Sequence, residues 1–207
     1  MNENTAKVLV KVRLFLWLIV GVTIIAVSIM MWTQRQAIMD AGFGGPFELQ
    51  SSLGGDFTRD DLVGTPSIIL FGFTSCPDVC PTTLTQMVQW REELNLQTGE
   101  LNIIFVSIDP DRDDNQKMVE YLANYPSKII GLTGSVEQVE AAKLSFGIFA
   151  EKLFDPSASE EEQANYDMDH TASIMMYDRE GQFQGTINFE DEFPDFLNKI
   201  NNLTRNM

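Results

Sequence analysis

The stretch PSIILFGFTSCPDVCP, which begins at Pro66 and ends at Pro81, decides the fold class. Its first eight residues are apolar almost throughout, which is typical of a strand buried on both faces of a sheet. Cys76 and Cys80 follow at once. Pro81 suits the first turn of a helix, which we expect to continue to about Leu96. A buried strand that leads through a short loop into a helix predicts an α/β domain.

The rest of the chain continues this alternation of strands and helices. The other predicted elements are a hairpin over 47–62 that turns at Gly54-Gly55, a strand over 101–108, a helix over 114–124, a strand over 128–132, a helix over 135–146, a polar loop over 156–169, strands over 171–177 and 182–188, and a helix that ends near Leu203. This order predicts a thioredoxin-like α/β sandwich, related to peroxiredoxins, with an N-terminal hairpin.

An apolar segment precedes this domain. Residues 14–32 read LFLWLIVGVTIIAVSIMMW and carry no charge. A helix of this length can cross the hydrocarbon core of a bilayer, and a cleavable signal peptide would have a shorter apolar region. Lys7, Lys11 and Arg13 stand just before it, so the positive-inside rule places the N-terminus in the cytoplasm. We therefore expect a single-pass transmembrane helix in the inner (cytoplasmic) membrane, with the domain in the periplasm.

The predicted organisation thus has four parts. They are a cytoplasmic N-terminus at 1–13, a transmembrane signal anchor at 14–33, a tether at 34–45 and the thioredoxin-like domain at 46–207. A domain of this length can build a complete hydrophobic core, so it needs no disulfide or metal merely to fold.

Charge and composition exclude some classes of function. The 207 residues carry a net charge of −16, and the part after Arg35 is more acidic still because residues 1–35 hold four basic side chains against one acidic. An acidic surface repels phosphate backbones, so nucleic acid is excluded as a partner. With two cysteines in all, the chain is not a disulfide-stapled scaffold.

The two cysteines form a dithiol at the start of a predicted helix. Cys76 and Cys80 are four residues apart, so their side chains project toward the same side, and the helix N-terminus favours the thiolate form of both. Three interpretations stay open at this point. The pair is a local disulfide or two inert thiols, a redox dithiol one residue longer than the usual CxxC, or part of a metal site completed from elsewhere.

The single histidine bears on this choice. His170 stands in YDMDHTA, directly before an apolar strand, on a loop that a thioredoxin-like fold would bring beside the cysteines. Two thiolates and one imidazole form a soft ligand set that Cu(I) prefers and Cu(II) accepts, although zinc could also bind. Asp169 is a candidate to orient the imidazole.

Several motifs resemble those of the Sco/SenC family. They are GGPFEL (44–49), FGFTSCPDVCPTTL (71–84), SIDPDRD (107–113), GLTGS (131–135) and YDMDHTASIMMYDREGQF (166–183). The combination of CxxxCP with a downstream DHT is specific, and the resemblance covers essentially all of residues 44–201. It implies that Cys76, Cys80 and His170 bind copper as Cu(I) or Cu(II). It also implies that Asp109 belongs to a family motif near this site.

The same resemblance implies a function. Family membership predicts a metallochaperone that helps to assemble the copper A centre of cytochrome c oxidase, with the copper A subunit as partner and other copper chaperones or thiol reductants as further partners. The alternative is a thiol-disulfide reductase that reduces the cysteines of the oxidase copper site. In that case Cys76 would attack and Cys80 would resolve the mixed disulfide. A peroxidase is the weakest alternative, since Thr74 is only two residues before Cys76.

Overall fold

The structure is a computed structural model of the chain. It describes residues 13, 16–31, 43–153, 166–188 and 193–205. The chain divides into two compact units, Met1–Asp40 and Ala41–Met207.

In the first unit, residues 16–31 form helix α1. Within the described residues, no helix has both the length and the apolar character needed to cross a membrane. The predicted span at 14–33 extends at both ends beyond the described residues. The predicted N-terminus at 1–13 and tether at 34–45 lie largely outside them as well.

The second unit contains the remaining elements. Its strands are β1 (Glu48–Ser51), β2 (Asp56–Thr58), β3 (Ser67–Gly72), β4 (Asn102–Ser107), β5 (Ile130–Thr133), β6 (Ala150–Leu153), β7 (Asp167–His170), β8 (Ser173–Tyr177) and β9 (Phe183–Asn188). Its α-helices are α2 (Val79–Glu93), α3 (Asn115–Leu122), α4 (Val136–Phe146) and α5 (Phe193–Arg205).

The main sheet has the strand order β2-β1-β5-β4-β3-β8-β9. Strands β3, β4 and β5 run parallel, and β8 pairs antiparallel with β3. All six residues of β3 are buried, as its apolar sequence predicts. The mixed α/β architecture expected from the sequence is therefore confirmed.

The N-terminal hairpin is also confirmed, with one correction. Strands β1 and β2 pair antiparallel, and Gly54 and Gly55 adopt φ values of 93° and 76° in the turn between them, where glycine is favoured. The end of the predicted hairpin is instead a 3₁₀ helix, Arg59–Leu62, because Asp61 accepts a 2.8 Å hydrogen bond from the backbone N–H of Thr58 and caps a helical turn.

An apolar cluster fills each face of the sheet. On one face, Ile68, Leu70 and Phe105 pack with residues of α2, α3 and α5. On the other face, Ile69 and Phe71 pack with residues of α4 and the N-terminal hairpin. Two covered faces make the sheet a rigid platform for the loop that follows β3.

A second, two-stranded sheet differs from the prediction. Strand β6 pairs antiparallel with β7, so that Ala150 lies opposite His170 and Leu153 opposite Asp167. The sequence predicted a loop over 156–169 that also carries His170, and it predicted no strand at β6. The prediction is wrong for β7: His170 is the last residue of a strand, because backbone pairing with β6 extends the chain there. Residues 154–165 lie outside the described residues.

Candidate metal centre

Cys76 and Cys80 lie where β3 passes into α2. The backbone N–H of Cys76 donates to the carbonyl of Phe73 at 3.2 Å, which turns the chain at the end of the strand. Cys80 is the second residue of α2, and its N–H points to the Sγ of Cys76 at 3.4 Å. Both cysteines are free thiols. The structure thus brings the two predicted sulphur ligands together at the N-terminus of a helix.

The two thiols differ in burial. Cys76 is half-buried, whereas Cys80 is 1% exposed and belongs to the apolar cluster under α2. Burial, with a smaller contribution from the nearby thiol of Cys76, raises the pKa of Cys80 to about 12. The expectation that the helix N-terminus favours the thiolate of both cysteines is therefore wrong for Cys80, because desolvation outweighs the helix dipole there.

His170 lies beside the loop that carries the cysteines. Its ring meets that of Phe73 edge to face, with centroids 6.0 Å apart and planes at 85°. Its Nδ1 is 3.0 Å from the carbonyl oxygen of Thr171. A carbonyl only accepts, so Nδ1 carries a hydrogen; in the neutral imidazole Nε2 then presents its lone pair, which is the form that binds a metal. The partner of Nδ1 is therefore the Thr171 carbonyl rather than the predicted Asp169, which is exposed.

The three predicted ligands are neighbours in the fold without forming a closed cluster. In the part of the chain that the structure describes, no three side chains of His, Cys, Asp or Glu are grouped closely enough to hold a metal ion. The pair Cys76 and Cys80 is in place, while His170 approaches the loop through Phe73. A metal bound by all three would require His170 and the cysteine loop to draw closer together.

The buried carboxylate of Asp113 holds the loop that carries the cysteines. Asp113 is fully buried and accepts hydrogen bonds from the backbone N–H of Thr74 at 2.9 Å and from the hydroxyl of Ser107 at 2.8 Å. The hydroxyl of Thr74 also donates to it, and the ammonium group of Lys117 lies 3.5 Å away. These contacts join the end of β4 to the residues just before Cys76, so Asp113 sets the position of the loop.

A second buried carboxylate reaches toward β7. Asp109 is fully buried and accepts hydrogen bonds from the guanidinium of Arg112 and from the hydroxyl of Tyr166. Tyr166 comes directly before β7. Burial, together with its bond to Asp109, raises the pKa of this tyrosine to about 12, so the hydroxyl stays a donor at neutral pH.

Sequence reasoning noted only Asp109 among these supporting residues. It missed Asp113, Arg112 and Tyr166. The signal for the first two was the motif SIDPDRD, in which charged residues directly follow a buried strand at the sheet edge where α/β proteins place their sites.

Comparison with known proteins identifies the family. The family model described as SCO1/SenC matches residues 35–205. A curated relative, the "SCO2-like protein" of Rickettsia felis, is 31% identical over an alignment of 191 residues, and the match covers 88% of this chain and 89% of the relative.

Solved structures agree with this match. The structure of Bradyrhizobium japonicum ScoI with copper bound is 31% identical, with a TM-score of 0.68, and the match covers 78% of this chain and 99% of that one. Yeast Sco1 with copper bound is 32% identical, with a TM-score of 0.69, over 80% of this chain and 90% of that one. The family model covers most of the chain and the fold is shared, so this protein belongs to the SCO1/SenC family.

Proposed function

We propose that this protein binds one copper ion through Cys76, Cys80 and His170. The observation that carries the proposal is the pairing of two thiols, Cys76 in the loop after β3 and Cys80 in the first turn of α2, near a histidine whose Nδ1 bonds the Thr171 carbonyl and so leaves Nε2 to bind a metal. Sulphur and imidazole ligands are those that copper prefers, and Cu(I) accepts low coordination numbers. Two relatives with the same fold have been solved with copper bound, which supports copper over zinc.

The position of His170 suits a site that can open. Strands β6 and β7 pair only with each other among the described strands, whereas the cysteines stand on the platform of the main sheet. A ligand on a small separate sheet can move toward the sulphurs when copper arrives and away when copper leaves. Such a site can hold the ion and still yield it to an incoming thiolate by ligand exchange.

We propose that the recipient is the copper A subunit of cytochrome c oxidase. This step rests on family membership and on the motif resemblance. In the proposed organisation, residues 14–33 anchor the chain in the inner membrane, 34–45 tether the domain and 46–207 lie in the periplasm. The apolar side chains of α1 support an anchor: Trp17 and Ile25 are 65% and 60% exposed, which is unfavourable in water and favourable in lipid. Tethering would keep the site near a membrane-bound oxidase.

A thiol-disulfide reductase is the second candidate, and the unequal burial of the thiols favours it. The thiolate of the more exposed Cys76 would attack a disulfide of the target, forming a mixed disulfide and releasing one target thiolate. Cys80 would then lose its proton and attack the Sγ of Cys76, which releases the second target thiolate and leaves a Cys76–Cys80 disulfide. The raised pKa of Cys80 makes this second step slow at neutral pH.

Metal titration separates the two functions. The full chain in detergent, reduced and metal-free, is titrated with Cu(I) and with Cu(II) beside His170→Ala and the matched control Asp169→Ala, which removes an exposed neighbour. Copper binding predicts one equivalent in the parent protein and the control, and weakened Cu(II) binding in His170→Ala. An affinity unchanged by His170→Ala, together with rapid disulfide exchange in that variant, would instead establish the reductase.

A further inference from the structure

The strand that carries His170 needs an anchor outside the main sheet. Strand β7 pairs with β6 alone among the described strands. Met168, in its middle, is buried against the apolar cluster that covers one face of the main sheet. The start of the strand is held differently, by residues 108–114 between β4 and α3, which we name the brace loop.

Arg112 of the brace loop contacts Tyr166, the residue directly before β7. Its Nη1 donates to the backbone carbonyl of Tyr166 at 2.8 Å, and its guanidinium carbon lies 3.7 Å from the centroid of the Tyr166 ring. Its Nε donates to the buried Asp109, which also accepts from the Tyr166 hydroxyl. Arg112 and Asp109 therefore together contact the backbone, the ring and the hydroxyl of Tyr166.

The same arginine reaches the cysteine side of the site. Its guanidinium carbon lies 5.7 Å from the centroid of Phe73, the ring that meets His170 edge to face. Cation–π attraction to two rings accounts for the buried Nη2 of Arg112, which has no hydrogen-bond partner in the described part of the chain. The guanidinium thus bridges Tyr166, directly before the histidine strand, and Phe73, directly after β3.

The brace loop also contacts β6. Lys152 forms an ion pair with Asp111 and lies 4.6 Å from the centroid of the Tyr166 ring. Asp113, at the other end of the loop, holds Thr74. One loop therefore contacts β6, the residue before β7 and the segment that carries the cysteines, so it holds the start of the histidine strand beside the thiols.

We propose that Arg112 is a positioning residue for the copper site: it holds β7 so that His170 can close on the ion bound by Cys76 and Cys80. This inference rests on the proposed function. Cu(II) depends on the imidazole more than Cu(I) does, because Cu(I) is already well satisfied by two thiolates. Removing the contacts that hold β7 should therefore weaken Cu(II) binding more than Cu(I) binding. Loss of a residue that orients a ligand typically costs about 10–100-fold in metal affinity.

The test uses Arg112→Met in the full chain. Methionine keeps an apolar side chain of similar reach and removes the charge and the hydrogen bonds. We expect the Kd for Cu(II) to rise about 10–100-fold and the Kd for Cu(I) to rise less than about threefold. The nitrogen hyperfine splitting in the electron paramagnetic resonance spectrum of the Cu(II) protein should become weaker, and Arg112→Lys should restore part of it.

Arg59→Met is the matched control. Like Arg112, Arg59 donates to a backbone carbonyl, that of Gly181, and has a buried guanidinium nitrogen without a hydrogen-bond partner among the described residues. Unlike the Arg112 contacts, Gly181 lies in the β8–β9 turn, near the start of β3 and away from the cysteines. This variant should lose stability and keep both copper affinities and the nitrogen splitting.

The outcomes are distinct. Parental Cu(II) affinity and spectrum in Arg112→Met overturn the inference and leave the proposed function intact. A parent protein that binds no copper overturns the proposed function and the inference with it. Should Arg112→Met fail to fold, Tyr166→Phe decides, since it removes only the hydroxyl bonded to Asp109: a smaller rise in the Cu(II) Kd alone supports the inference, and an unchanged Kd rejects it.

Discussion

The Sγ of Cys80 packs directly against the backbone of Gly72, the last residue of β3. A methyl group at Gly72 would lie 2.5 Å from that sulphur and 2.8 Å from the ring of Phe105. Atoms in well-packed cores do not approach so closely, so the position accepts only hydrogen. Gly72 leaves space for the thiol of Cys80, which enters the core from the first turn of α2. This contact sets the position of the Cys80 sulphur.

Gly72→Ala should therefore destabilise the protein and displace Cys80. Overpacking of a core typically costs about 1–3 kcal/mol in the free energy of unfolding, because side chains or backbone must shift. We expect a decrease of that size in urea unfolding of the metal-free protein, together with weaker Cu(I) binding. Gly99→Ala is the matched control, since a methyl group there meets nothing within 4 Å. Equal stability of the two variants would contradict the tight contact.

Removal of the Asp113 carboxylate should be more costly. Asp113→Ala leaves the buried hydroxyl of Ser107 and the N–H and hydroxyl of Thr74 without their acceptor. A donor left without a partner inside the protein costs about 1–3 kcal/mol, and since three donors lose their acceptor we expect a total of about 3–5 kcal/mol. We expect a loss in that range in chemical unfolding, and Asp113→Asn should lose less because an amide oxygen still accepts.

The neighbouring Asp114 provides the control for that variant. Its side chain caps α3 by accepting a 2.8 Å bond from the backbone N–H of Lys117, and it is exposed. Asp114→Ala should cost about 1 kcal/mol, the usual value for a lost helix cap. A loss in Asp113→Ala no larger than that of Asp114→Ala would mean that the buried network contributes little.

Local patterns in the sequence were sufficient for most of the fold. The apolar run from Pro66 to Phe73 predicted a strand buried on both faces, because an unbroken run of that length is typical of a strand and short for a helix. The helix predicted over 135–146 starts at Ser135, which Gln138 follows three residues later, a capping-box pattern; in the structure Ser135 accepts from the N–H of Gln138 while the Gln138 side chain accepts from the N–H of Ser135. Each of these signals acts over a few residues.

Features that depend on distant partners escaped prediction. Strand β6 carries mostly exposed residues, so it has no buried face to leave a pattern, and it is a strand because it pairs with β7. The raised pKa of Cys80 arises from the core around it rather than from its place in α2. Likewise, the role of Arg112 depends on Tyr166, which is 54 residues away in sequence.

Because Cys80 is buried, we expect the free energy of unfolding to fall at alkaline pH. The folded protein retains the thiol proton up to a pKa of about 12, whereas the unfolded chain loses it near 9.0. Between these values the unfolded state binds fewer protons, so the free energy of unfolding falls as pH rises. In reduced, copper-free protein the decrease should be steeper than in Cys80→Ala by about 1.4 kcal/mol per pH unit. Parallel curves for the two proteins from pH 9 to 11 would show that Cys80 is not desolvated.

Copper binding should release the proton of Cys80. At neutral pH this thiol is protonated because burial raises its pKa to about 12, and a copper ligand must be the thiolate. Each Cu(I) bound through Cys80 therefore displaces at least one proton, and the apparent association constant should rise about tenfold per pH unit. Competition titrations between pH 7 and 9, with calorimetry in two buffers of different protonation enthalpy, measure both quantities. An association constant independent of pH in that range would mean that Cys80 does not bind the ion. The proposed three-ligand site would then have to be replaced by one in which Cys76 is the only sulphur ligand.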